Sequence, residues 1–169
     1  MWDLKSAKNS ANIFSIVIPI IEQQLNGKII SIEQNNDQIT KLLDTKCGVD
    51  GLLIHNKGVY GIAHRVGYDV AWNTFTIRVK DSSGAKTEID HLCSNGIKPY
   101  YHIQSYVKGG TILSMAIAKT DDIVDYIEKY SPPIKTAGKS GDKFTIIKWC
   151  DFDKAGYKIK ILKGSDLYE

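Results

Sequence analysis

The sixteen residues Asp50–Arg65, DGLLIHNKGVYGIAHR, decide the fold. Two apolar runs, Gly51–His55 and Val59–Val66, flank Asn56-Lys57-Gly58, whose Asn and Gly suit a tight β-hairpin turn. Asp50 stands where the first strand begins. On the second strand, side chains alternate between faces, so Ala63 and Arg65 share one face and His64 points to the other.

Downstream, Asn73–Lys80 (NTFTIRVK) alternates Phe75, Ile77 and Val79 with Thr74, Thr76, Arg78 and Lys80, the pattern of a half-buried strand. Asp81-Ser82-Ser83-Gly84 has turn chemistry, and a short helix is expected from about Ala85 to Asn95, ending at Gly96. Strands follow over Tyr100–Val107 and Thr111–Ala118. A helix capped by Thr120 or Asp121 then runs to Tyr130, stopped by Ser131-Pro132-Pro133. Residues 134–142 read as a loop. Phe144–Trp149 and Tyr157–Leu162 read as a last hairpin around Asp151–Gly156.

Upstream, Ile13, Val17, Ile20, Ile21 and Leu25 recur at helical spacing, which predicts a helix from Ser10 to Asn26. Asn9 or Ser10 is its expected cap, Gly27 its stop, and Pro19 a kink or break. Lys28–Glu33 alternates weakly, as a short strand would. A second helix is expected from Asn36 or Asp37 to Asp44, with Ile39, Leu42 and Leu43 on one side. The whole predicts one α/β (α+β) domain over residues 1–169: a central mixed sheet flanked by helices, with a C-terminal hairpin over 143–163.

At 169 residues, 43% hydrophobic and 24% charged, the chain can bury a core without a metal or disulfide staple. Cys47, Cys93 and Cys150 are odd in number and far apart, and they form no zinc-ligand spacing with His55, His64, His91 and His102. Free thiols in a reducing compartment follow. The most apolar stretch, Ile13–Ile21, is far short of the ~20 residues of a bilayer span. Asp3 and Glu22-Gln23-Gln24 flank it, and no small-x-small cleavage site follows, so the expected location is the cytoplasm, with no membrane partner. A net charge of +3 permits nucleic-acid binding without demanding it.

The order helix–Asp–hairpin–strand–helix–strand resembles the core of the PD-(D/E)XK (restriction-endonuclease-like) nuclease superfamily, over about residues 10–130. In that family an Asp opens one strand and an acid-x-Lys triplet on the next completes the site, often with a Glu from the first helix. The resemblance implies that Asp50 is the metal-binding Asp, that Arg65 stands at the Lys position, and that Glu22 assists from the first helix. Ala63 occupies the place of the second acid and cannot bind metal. Arg for Lys is no neutral exchange, because guanidinium stays protonated. Glu88 is the preferred substitute acid, ahead of Asp90, so the implied metal ligands are Asp50 and Glu88.

Two readings follow. One is a Mg²⁺- (or Mn²⁺-) dependent endonuclease hydrolysing DNA, with Arg65 stabilising charge on the phosphate. A double-strand break needs two active sites, so this reading implies a homodimer. The other is a non-catalytic module on the same fold, without a cofactor, that binds nucleic acid or a protein partner, as phage or mobile-element accessory proteins do. Arg78, Lys80 and Lys86 are the candidate phosphate contacts under either. His102 and Gln104 alternate onto one strand face, with Tyr106 beyond them. Gly138-Lys139-Ser140 lacks the upstream glycine and following helix of a phosphate loop, since position 133 is Pro133.

Overall fold

The computed structural model describes residues 4–32, 37–81, 83–92, 98–138 and 140–167. Helix α1 (Leu4–Leu25) places Ile13, Phe14, Val17 and Ile21 on one buried face. It starts before the expected caps, so Asn9 and Ser10 lie inside it. It also runs through Pro19, which sits on the exposed side, where the missing ladder bond falls towards solvent. Asn26, in the left-handed region at φ 52°, turns the chain out of α1, and Gly27 N–H reaches back to the Glu22 carbonyl at 3.1 Å. A Cβ at Gly27 would lie 2.8 Å from the Ile54 carbonyl oxygen, so only glycine lets the helix end pass this close to the sheet.

Strand β1 (Lys28–Ser31), helix α2 (Gln38–Cys47), β2 (Gly51–His55) and β3 (Gly58–Tyr68) follow. The hairpin forms as its sequence predicts, in the register Gly51↔Ile62 to His55↔Gly58. Beyond it come β4 (Thr74–Lys80), α3 (Glu88–Leu92), β5 (Tyr101–Lys108), β6 (Thr111–Lys119) and α4 (Thr120–Tyr130). The chain ends in β7 (Ile134–Thr136), β8 (Lys143–Lys148), α5 (Trp149–Lys154), β9 (Ile159–Lys163) and a 3₁₀ turn (Gly164–Leu167). The main sheet has the order β1-β2-β3-β5-β6-β9. Its β1-β2-β3 meander is antiparallel, and β3 and β5 run parallel across the crossover through β4 and α3. A second sheet has the order β4-β8-β7. The fold class is therefore mixed α/β, with helices flanking two sheets.

Four further expectations need correction. The C-terminal hairpin does not form: β8 pairs with β4 and β7, while β9 pairs with β6 in the main sheet, and α5 occupies the supposed turn. Residues 134–142 are not all loop, because β7 pairs with β8. In α2, Ile39 and Leu42 are exposed, and Leu43 alone of the expected trio packs on Ile32, Cys47 and Val49. Asn36, Cys93 and Gly96 lie outside the described residues. Lys119, with no side-chain bond to the helix, takes the cap position expected of Thr120 or Asp121 in α4.

The main sheet is covered on both faces. On one, α1 packs over Leu53, Ile62, Ile103, Val107 and Met115. On the other, the second sheet, α4 and α5 pack through Phe75, Ile77, Ile123, Ile147, Trp149 and Phe152. Central β5 is consequently buried along nearly its whole length, and its polar residues His102, Gln104 and Ser105 lie inside the protein. Among the described residues no helix is long and apolar enough to cross a membrane.

Candidate nucleic-acid interface

Asp50 lies just before β2. Past Gly51↔Ile62, the last pair of the ladder, β3 continues without a backbone partner on that side, and the Asp50 carboxylate accepts the His64 N–H at 2.7 Å. It thereby stands in for the missing strand. His64 itself stacks on Phe14 of α1 and shares a 2.9 Å hydrogen bond with the Ser105 hydroxyl. Burial, with the neighbouring His102 adding to it, holds the His64 imidazole down at about 3.

On the other face, β3 and β5 set Ala63 beside His102 and Arg65 beside Gln104. Arg65 reaches across to α3, donating to the Glu88 carboxylate at 2.9 Å, and the same oxygen accepts the Arg78 N–H at 3.1 Å. His102 is fully buried, and burial lowers its pKa against the opposing pull of Glu88. Its Nδ1 lies 3.6 Å from Glu88, too long for a hydrogen bond, and a neutral ring makes this a contact rather than an ion pair. The Phe144 ring sits beneath both guanidinium groups, 4.7 Å from Arg65 and 5.5 Å from Arg78.

The candidate acids therefore have separate partners. Glu88 is neutralised by Arg65. Asp90 accepts the Thr87 N–H and hydroxyl, closing the first turn of α3. Glu22 accepts the Ile29 N–H at 2.8 Å and pairs with Lys28. Ile29 is in register with Leu53, which puts Glu22 about three residues, or ~10 Å, along the sheet from Asp50. A Mg²⁺ ion needs several oxygen ligands around one point. Among the described residues no three His, Cys, Asp or Glu side chains gather as a metal-binding group, so this donor set does not fit the ion.

The phosphate candidates divide differently. Arg78 lies 3.6 Å from Asp81 and 3.8 Å from Asp142, which offsets its charge. Lys80 and Lys86 are exposed. The hairpin pattern did not disclose the rest of the second sheet. Its strands TFTIRVK, IKT and KFTIIK contain Arg78, Lys80, Lys135, Lys143 and Lys148 and no acid. Lys80 stands opposite Lys143, and Lys135 opposite Phe144. Lys80, Lys135, Lys143 and Lys148 form no ion pair with a described residue. The alternation of KFTIIK was the available signal for this surface, but Lys135 sits in a three-residue strand too short to show a period.

In comparisons with known proteins, no family model matches the chain, and neither a curated protein nor a solved structure is significantly similar to it.

Proposed function

We propose that this chain is a non-catalytic nucleic-acid-binding module that holds its ligand on the second sheet. One observation carries this reading: the acid-free β4-β8-β7 sheet, with Lys80 directly opposite Lys143. Like charges in register across a strand pair are unfavourable, and a polyanion lying across them reverses the sign of that term. The separate commitments of Asp50, Glu88 and Glu22 favour binding without hydrolysis.

The test is affinity for a labelled DNA duplex and single strand measured over a salt series. The reading predicts binding that weakens as salt rises. For the duplex, Lys80→Ala combined with Lys143→Ala lowers the salt slope by ~1.8, at ~0.9 per lost phosphate contact. No binding at low salt refutes it.

The second reading, metal-dependent DNA hydrolysis, requires Asp50 and Glu88, which hydrogen-bond to the consecutive β3 residues His64 and Arg65, to leave those partners for a cation. It predicts nicking of supercoiled DNA with Mg²⁺ or Mn²⁺ that Asp50→Ala abolishes. That result would replace the binding-module reading.

A further inference from the structure

Between the C-terminal half of β3, the turn 68–73, β5 and the second sheet lies an open cleft of about 350 Å³. A volume of this size suits one small ligand unit. Tyr68, Trp72 and Phe144 give it aromatic walls, Arg65 and Lys135 give it positive charge, and Gln104 lies at its inner side. Because Glu88 offsets Arg65, Lys135 is the cation left uncompensated.

Two features of the cleft are available to a ligand. Trp72 is 70% exposed, although its turn is firmly fixed. Asp69 N–H donates to the Val107 carbonyl, Trp149 N–H donates to the Asn73 carbonyl, and the Ser114 hydroxyl donates to Asn73 Oδ1. Asp69 and Asn73, at φ 70° and 51°, are residue types that tolerate the left-handed conformation these bonds require. A rigid backbone thus presents a large flat ring to solvent.

The other feature is Gln104, only 1% exposed. Its Oε1 accepts the Thr76 hydroxyl at 3.2 Å and the Thr76 N–H at 3.4 Å. A backbone N–H can only donate, so the oxygen is fixed on that side and the amide NH₂ on the other. Among the described residues this NH₂ has no acceptor. The amide lines the open cleft, where an acceptor atom of a ligand can take the place of the water that solvates this donor.

A flat ring, an uncompensated cation and an unpaired amide donor together match a nucleotide. Lys148, on the same face of β8 as the cleft-lining Phe144 and Ile146, continues the positive charge along the sheet, which matches a polymer rather than a free nucleotide. A base in a duplex is stacked on both faces and paired at its edge, so it cannot offer a face to Trp72 without leaving the helix. We infer that the cleft takes an unpaired nucleotide of single-stranded nucleic acid, with its base on Trp72, an acceptor atom on Gln104 and a phosphate at Lys135. This rests on the nucleic-acid reading above and narrows it to a substrate class.

The experiment titrates the full chain with four labelled probes: a twelve-nucleotide oligothymidylate, the matching oligouridylate, a duplex of the same length, and thymidine monophosphate. Trp72→Ala is expected to weaken binding of at least one single strand by roughly 5- to 150-fold while leaving duplex affinity unchanged. Trp72→Phe should keep most of the affinity but lose the ligand-induced quenching of tryptophan fluorescence. Which oligonucleotide binds tighter distinguishes DNA from RNA as the source of the strand. Full single-strand affinity in Trp72→Ala overturns the inference while leaving the reading of the sheet intact. An equal loss on the duplex overturns the single-strand assignment, and mononucleotide binding as tight as the oligomer's overturns the polymer. If the wild-type chain binds none of the probes, both readings fall.

Discussion

Replacing Asp50 with Ala separates a carboxylate that completes a strand from one that waits for a cation. The carboxylate accepts the part-buried His64 N–H at 2.7 Å, where the β2–β3 ladder has run out of backbone partners. Ala leaves that donor unsatisfied, at a cost of about 1–3 kcal/mol. In a chain of 169 residues each kcal/mol moves the melting midpoint by ~2–4 °C, so Asp50→Ala should melt roughly 2–12 °C lower. Asp50→Asn keeps an acceptor oxygen and should lose distinctly less. The assay is thermal unfolding followed by circular dichroism, with urea midpoints as a cross-check on the slope. A midpoint for Asp50→Ala equal to or above wild type would refute the reasoning. It is also the outcome expected of a functional carboxylate held against its own repulsion.

Other outcomes are equally specific. Gly67→Ala would put a Cβ 2.5 Å from the Tyr106 ring, whose hydroxyl is tied to Thr74, so it should destabilise by about 1–3 kcal/mol in urea unfolding. Val17→Ala, at a fully buried position on α1, should cost about 1–3 kcal/mol in the same assay, and an unchanged midpoint would contradict the packing of α1 on the main sheet. His64 is held at about 3 against an ordinary 6.5, so below pH 6.5 the unfolded chain takes up a proton that the folded chain refuses. Its contribution is complete above pH 6.5 and is lost as pH falls towards 3, at up to ~1.4 kcal/mol per pH unit, and His64→Phe should flatten that part of the stability–pH curve.

The hairpin within Asp50–Arg65 was legible because two apolar runs flank a short turn, so local chemistry alone fixes its pairing and register. The place of β4 was not. NTFTIRVK declares a half-buried strand, but alternation does not say which sheet buries it, and its partner β8 lies more than sixty residues away. Strand β7 is concealed by its three-residue length among Pro, Gly and Ser. Asp151–Gly156 reads as a hairpin turn and Trp149 as the end of a strand, whereas Trp149 and Phe152 anchor α5 in the core. The shared face of His102 and Gln104 followed from strand periodicity, while the Gln104–Thr76 bond that orients the amide depends on the second sheet docking on the first. The hairpin thus announced part of the main sheet, but the cationic surface is completed only by the non-local pairing of β4 with β8.

Mapping where bound nucleic acid touches the protein tests the central claim most directly. Photocrosslinking of a bound oligonucleotide, read out by peptide mass spectrometry, should place the adducts in residues 72–80 and 134–148, on the turn bearing Trp72 and the strands of the acid-free sheet. Adducts confined to α1, α2 and the β1–β2 edge, or no adduct above background, would contradict the account.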